Sequence, residues 1–319
     1  MITDHTHILT KWGDIVTARG FNDGDLIYVV PLYFLSDKGS RTYSGEKYEK
    51  YVDEFAERYR HFHPELVRST PYGQRVAIRE DQITRAFDPF ANPRLIYDSF
   101  DKKIYRRVVD ILTKFVPRES IGFIGSSLVG FQTAGSDLDI VIRGLENYRT
   151  LRGQFKDFLN ALGACATITR EQFYKSVVKY ERLFNGVNND FATMIKNRWP
   201  TIHMPGELFC KIRFTLNPAN DVIFSAPSNL SLREGSVNGK VIEDEGVAFM
   251  PRHFRLRLNE GAEYETITYH WDYSYCVMVG DEVTVRGAID ESEKIIVVSD
   301  RKNHGITFKK QNNIACAIV

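Results

Sequence analysis

The chain has no paired cysteines. Cys165, Cys210, Cys276 and Cys316 lie far apart, and no two of them have CxxC spacing. That argues against a zinc knuckle or a disulfide framework and matches free thiols in a reducing compartment. Long apolar runs are also missing, since none approaches the roughly 20 residues that cross a bilayer. The first residues, MITDHTHILTKWGD, lack the charged-then-apolar pattern of a signal peptide. A soluble, cytoplasmic protein without a membrane partner is the expectation. An excess of one charge is absent as well: 42 Lys and Arg face 41 Asp and Glu, for a net charge of +1. No global basic field therefore draws in nucleic acid. Internal repeats and low-complexity segments are not seen either.

What the chain does have is an ordinary globular composition, 43% hydrophobic and 26% charged over 319 residues. That length allows two or three cores. Residues 1–93 read as a mixed α/β region. HILTKWGDIVTARGF suggests two short strands around Trp12-Gly13, and DLIYVVPLYF is rich in β-formers. EKYEKYVDEFAERYRHF places Tyr48, Val52, Phe55 and Tyr59 on one helical face. The stretch DPFANPRL, residues 88–95, has linker composition.

The central region, 94–226, alternates strand and helix. Ile104, Val108, Ile111, Leu112 and Phe115 fit a helix stopped by Pro117. IGFIG is a short strand, GSSLVGFQT a glycine-opened turn into a helix, and SDLDIVIRG a second strand. Two helices follow, through Leu151, Phe155, Phe158, Leu159 and Leu162 and through Phe173, Val177, Tyr180 and Phe184. Residues 227–319 turn to β, with FRLRLN, YETITYHWDYSYCVMV, EVTVRGAI and KIIVVSD separated by turn residues. The expected fold class is α+β, with a mixed sheet flanked by helices at the centre and a C-terminal β-rich domain that resembles a small barrel.

Residues 121–144, IGFIGSSLVGFQTAGSDLDIVIRG, carry the chemistry. Gly125 follows a strand, so the amides of Ser126 and Ser127 can open toward a phosphate at a helix start. Asp137 and Asp139 are two apart on a strand and share a face, while Leu138 and Ile140 point the other way. Two carboxylates aimed at one point repel unless a cation lies between them. Mg²⁺ (or Mn²⁺), hard and oxygen-seeking, does this while bridging triphosphate oxygens.

Gly125-Ser126 after one strand and Ser136-Asp137-Leu138-Asp139 on the next resemble the signature of the polymerase-beta-like nucleotidyltransferase superfamily. Flanking segments are similar to a group of predicted nucleotidyltransferases common in archaeal genomes. The resemblance implies that 94–226 is a nucleotidyltransferase domain. It would pass a nucleoside monophosphate from an NTP such as ATP to an acceptor hydroxyl, with Asp137 and Asp139 as metal-holding catalytic residues. RNA 3′ ends, protein hydroxyls and small molecules all remain open as acceptors. A third carboxylate normally completes such a site from a later strand. Asp190 in GVNNDFATMI is the first candidate, expected on a strand after two helices. Glu207 and Asp221 are rivals, and LFCKIRF carries Lys211 where an acid would be expected. Without a third acid, a nucleotide-binding sensor or scaffold that has lost turnover becomes the better reading.

Weaker signals surround this core. Lys175 and Lys179, four apart on one helix face, could meet the β- and γ-phosphates, or simply form a solvated face. Arg143 has the same two readings. His5/His7 and His61/His63 read as surface histidines without metal partners. The aromatic-rich YHWDYSYCVMV and nearby Arg252, Arg255 and Arg257 suggest base stacking or a barrel's own core. The second reading is preferred because no basic stripe runs along a whole strand.

Overall fold

A computed structural model describes residues 2–20, 24–51, 55–91, 96, 98, 103–133, 136–163, 170–183, 190–197, 201–204 and 208–309. The chain divides into two compact units, one of residues 1–68, 74–166 and 201–223, the other of 69–73, 167–200 and 224–319. This grouping differs from the three regions read from composition. The N-terminal strands share a unit with the central sheet, and 167–200 goes with the C-terminal strands. Both helices and sheets build the protein, as an α+β chain requires.

In the first unit, β1 (His7–Thr10), β2 (Ile15–Ala18), β3 (Ile27–Leu35), β4 (Arg41–Tyr43) and β5 (Glu46–Lys50) are followed by α1 (Phe55–Phe62), β6 (Val67–Thr70), β7 (Gly73–Ile78) and β8 (Ile83–Phe87). The sheet runs β4-β5-β3-β2-β1-β8, with β7 on the first half of β3. β1 and β2 form the hairpin expected around Trp12-Gly13. Period-two alternation gives the sheet two apolar faces. Ile8, Val16, Ile27 and Val29 pack with Tyr59 of α1 on one. Ile15, Tyr33 and Tyr48 pack with Val129 and Phe131 on the other.

The expected helix over EKYEKYVDEF does not form at its start. Glu46–Lys50 is strand β5, paired antiparallel with β3 through Tyr33↔Lys50 and Leu35↔Tyr48. Its Glu and Lys residues favour helix locally, but burial of Tyr48 against the sheet outweighs a propensity difference of a few tenths of a kcal/mol per residue.

The second sheet of this unit has order β11-β12-β10-β9, from β9 (Ile121–Phe123), β10 (Leu138–Arg143), β11 (Thr201–Met204) and β12 (Leu208–Thr215). β10 and β12 are parallel, and the other pairs are antiparallel. Register pairs Ile140 with Ile212 and Ile142 with Phe214, so these four share one face. Helices α2 (Lys103–Leu112), α3 (Leu145–Gly153) and α4 (Phe155–Leu162) belong to this unit. Tyr148 of α3 meets Phe214 edge-on at 5.0 Å, which places α3 on that face. Asp139 and Val141, paired with Lys211 and Arg213, point to the other face.

In the second unit, α5 (Arg170–Leu183) and α6 (Phe191–Asn197) meet through stacked Tyr180 and Phe191, 5.7 Å between centroids. Strands β13 (Arg233–Glu243), β14 (Arg252–Leu258), β15 (Glu263–Thr268), β16 (Glu282–Asp290), β17 (Ile295–Val297) and β18 (Gly305–Phe308) follow. The order β13-β14-β15-β17-β16 closes on itself because β13 also pairs with β16, giving a five-stranded barrel with β18 beside β16. Closure removes exposed strand edges. Tyr264, Tyr273 and Tyr275 are buried, in line with aromatics that fill the barrel's own core. The arginines are committed: Arg255 pairs with Glu243 and Glu265, Arg257 with Glu263, and buried Arg252 lies 4.8 Å over the Trp271 ring. Among the described residues, no helix is long and apolar enough to cross a membrane.

Glu265 is expected to make this barrel pH-sensitive. Burial pushes its carboxyl up to about 7 from 4.5, with Arg255 opposing and Glu243 adding to the rise. A folded-state value above the unfolded one favours folding at low pH, and that contribution is lost as pH rises from about 4.5 through 7. Glu265→Gln is therefore expected to flatten the fall in melting temperature over that window. Identical pH profiles of the two proteins would refute the assignment.

Candidate active site

The site is built where β9 and β10 meet. Ile124 N–H donates to Asp139 O at 3.0 Å, extending the ladder by one residue. Gly125 then turns the chain with φ +66°, a conformation that side chains resist. A Cβ placed there would lie 2.7 Å from Asp139 Oδ2, so only glycine lets the turn rest against this carboxylate. Both features of the sequence motif thus meet at one point.

The helix expected after Gly125 is not formed. Residues 125–130 are turn, closed by Phe131 N–H donating to Ser126 O at 2.8 Å. Gly130, φ +74°, reverses the chain after four residues, too few to repay helix nucleation. Phe131 then docks on the N-terminal sheet, 4.8 Å from the Tyr33 ring and 5.3 Å from Tyr48. Arg41 Nη1 donates to its carbonyl at 2.5 Å. A helix dipole is therefore not what would attract phosphate here. Ser126 and Ser127 are buried, and Ser127 Oγ accepts from Gln132 Nε2 at 2.6 Å. Ser136 Oγ accepts from Thr133 N–H at 2.9 Å, and its carbonyl accepts from Tyr105.

His7 is a site residue that the sequence reading missed. It is buried, not a surface histidine, and so is His5, which lies 3.4 Å from Asp4 and 3.2 Å from Arg19. His7 Nε2 accepts the Gly125 amide hydrogen at 3.0 Å. Burial, followed by the nearby Arg19 charge, drops its pKa to about 3, which keeps the ring neutral and able to accept. The available signal was its position on β1 two residues before Leu9, which packs on the Tyr33–Phe131 cluster. His7→Ala is expected to cost about 1 kcal/mol by removing the acceptor of the part-buried Gly125 amide. His7→Gln, which keeps an acceptor, should recover part of it. Equal melting temperatures for the two variants would show that the bond does not hold the turn.

Asp139 lies on β10 and Asp137 just before the strand begins, and Lys211 neighbours both. Asp137 Oδ2 takes a hydrogen bond from Lys211 Nζ at 2.5 Å, with both side chains 34% exposed. Asp139 is set deeper. Burial raises its pKa, against the lowering influence of Lys211, Arg213 and Lys50, while Asp137 adds to the rise. The same carboxylates, after burial itself, help to push Tyr105 to about 12. Among the described residues, no three His, Cys, Asp or Glu side chains come together as a metal site.

Among the other candidates, Asp190 and Asp221 are engaged in local hydrogen bonds. The strand expected around Asp190 is helix α6, and Asp190 caps it: Oδ1 accepts from Thr193 N–H at 3.0 Å and Oδ2 from Thr193 Oγ1 at 2.9 Å. Capping a helix start satisfies an otherwise orphan amide, and an aspartate does it well. Asp221 holds the start of α3, its Oδ2 accepting from Leu145 N–H at 2.9 Å and Asn217 N–H at 2.7 Å. Glu207 lies outside the described residues. Lys175 and Lys179 are exposed on α5, in the second unit. Arg143 lies 4.4 Å over the Phe90 ring and donates to Glu119 O. On β12, the neighbour of Asp139 in register is Lys211. No protein-family model, curated protein or solved structure matches the chain.

Proposed function

We propose that the protein is a metal-dependent nucleotidyltransferase that passes a nucleoside monophosphate from an NTP to an acceptor hydroxyl, releasing pyrophosphate. The observation that carries this reading is the fit between Gly125 and Asp139. A positive-φ turn, in which a Cβ would lie 2.7 Å from Asp139 Oδ2, rests against one of two neighbouring carboxylates that both lie beside Lys211. The donor set suits one hard divalent ion: two carboxylates are present, and Asp137 already holds a cationic group in the Lys211 ammonium. When bound, Mg²⁺ would supply charge neutralisation to the triphosphate oxygens.

Asp139 would hold that ion from β10, whose ladder fixes its direction, and Asp137 from the residue just before the strand begins. The turn from Gly125 to Ser127 would bring backbone close to the phosphates, which a side chain at 125 prevents. Catalysis would then rest on positioning and charge placement.

A second reading has its own support. Lys211 occupies the neighbouring-strand position where a third acid would help deprotonate the acceptor. A site so altered suits a protein that binds nucleotide without turning it over. Incubation with each labelled NTP, Mg²⁺ or Mn²⁺, and total RNA or protein extract separates the two. Label transferred to a polymer, lost in Asp139→Asn, supports the transferase. Metal-dependent NTP binding with no transfer supports the sensor. Absence of binding by all four NTPs refutes both.

A further inference from the structure

We propose that Lys211, assisted by Arg213 and Lys50, forms a polyphosphate-binding subsite that works without metal and that Asp137 occludes when no nucleotide is present. This rests on the nucleotide-binding reading and adds to it the residues that would grip the phosphate chain.

The geometry comes from strand register. β10 and β12 run parallel, with Asp139 opposite Lys211 and Val141 opposite Arg213. Residues two apart on a strand share a face, so Lys211 and Arg213 project on the side of the two carboxylates. Lys50 enters from a different sheet. It ends β5, opposite Tyr33 of β3, and its charge and the Tyr33 hydroxyl both interact with Asp139. Basic side chains on β12 therefore stand on the same side as the two carboxylates, and Lys211 touches Asp137 directly.

Basic side chains beside the carboxylates have no use in a site meant only to bind a divalent cation, because each ammonium or guanidinium repels it. They do suit a ligand carrying several negative charges. Lys211 is well placed to change partners. Its ammonium is held by Asp137 with both side chains 34% exposed, so solvent and an incoming anion can reach the pair. A phosphate chain could take over the ammonium as Asp137 turns to a bound ion. Lysine on a flexible stem serves that exchange as a point charge.

The experiment is calorimetric titration of the full chain with inorganic tripolyphosphate in EDTA, and with ATP in Mg²⁺. Wild type is expected to bind both. Lys211→Met should weaken tripolyphosphate binding about 10- to 100-fold, the loss of one charge-assisted contact. Lys211→Arg, which keeps the charge, should retain most of it and shows that the position tolerates substitution. Asp137→Asn should act in opposite directions, strengthening metal-free tripolyphosphate binding while weakening Mg²⁺–ATP. The inference is overturned if Lys211→Met binds tripolyphosphate as wild type does, or if Asp137→Asn weakens metal-free binding. If wild type binds Mg²⁺–ATP but not tripolyphosphate, this inference alone falls. If it binds neither, the nucleotide reading falls with it.

Discussion

Gly125→Val is expected to abolish triphosphate binding and to lower the stability of the first unit by about 2–4 kcal/mol. Two costs add. The backbone at 125 has φ +66°, where a β-branched residue is strained, and the new Cβ would lie 2.7 Å from Asp139 Oδ2. To relieve the contact, either Asp139 leaves its position or the turn lifts away, breaking the Gly125–His7 hydrogen bond. Phe131 resists the second movement through its packing on Tyr33 and Tyr48. Gly125→Ala meets the same Cβ contact without the extra methyl groups, so its effect should be smaller but of the same sign. Melting curves with and without Mg²⁺–ATP check both. A valine variant with unchanged ligand-induced shift would place the phosphates elsewhere.

Asp139→Asn should stop nucleotidyl transfer, by at least about a hundredfold, while raising the stability of the ligand-free protein at neutral pH. The two effects share a cause. Burial, aided by Asp137, raises the Asp139 pKa against the pull of Lys211, Arg213 and Lys50. A carboxyl with a raised folded-state pKa favours folding when protonated, and that contribution is lost as pH rises above its ordinary value of 3.8. Asparagine cannot ionise, so the variant should gain on wild type as pH rises and match it most closely in acid. Stability lost at neutral pH, together with full transfer activity, would remove Asp139 from the site. Gained stability with lost function is the pattern of a residue kept for chemistry.

Much of this was readable in the chain itself. Alternation in SDLDIVIRG placed Asp137 and Asp139 on one face, and the structure keeps Ile140 and Ile142 on the opposite, packed face. The Trp12-Gly13 hairpin and the C-terminal strands also followed from local pattern. Failures came where distant partners overruled local preference. Glu46–Lys50 looks helical but pairs with β3. GSSLVG promises a helix start but is reversed at Gly130 and anchored by Phe131. His7 gave only its inward position on β1, not its role, because its partner is an amide 118 residues away. Asp190 has the composition of a site acid and the position of a helix cap. Lys211 was noticed as a basic residue in an unexpected place. Its register opposite Asp139 depends on parallel pairing with a strand some 70 residues earlier, which no local signal encodes.

The central claim is that Asp137 and Asp139 hold a metal-bound triphosphate against the Gly125 turn. Its most direct measurement is the melting temperature of wild type and Asp139→Asn with ATP, in Mg²⁺ and in EDTA. Ligand that binds only the folded state must raise the transition. The account expects the largest rise for wild type with Mg²⁺, a smaller one in EDTA, and no gain from Mg²⁺ in Asp139→Asn. An equal Mg²⁺-dependent rise in both proteins, or none in wild type, would contradict it.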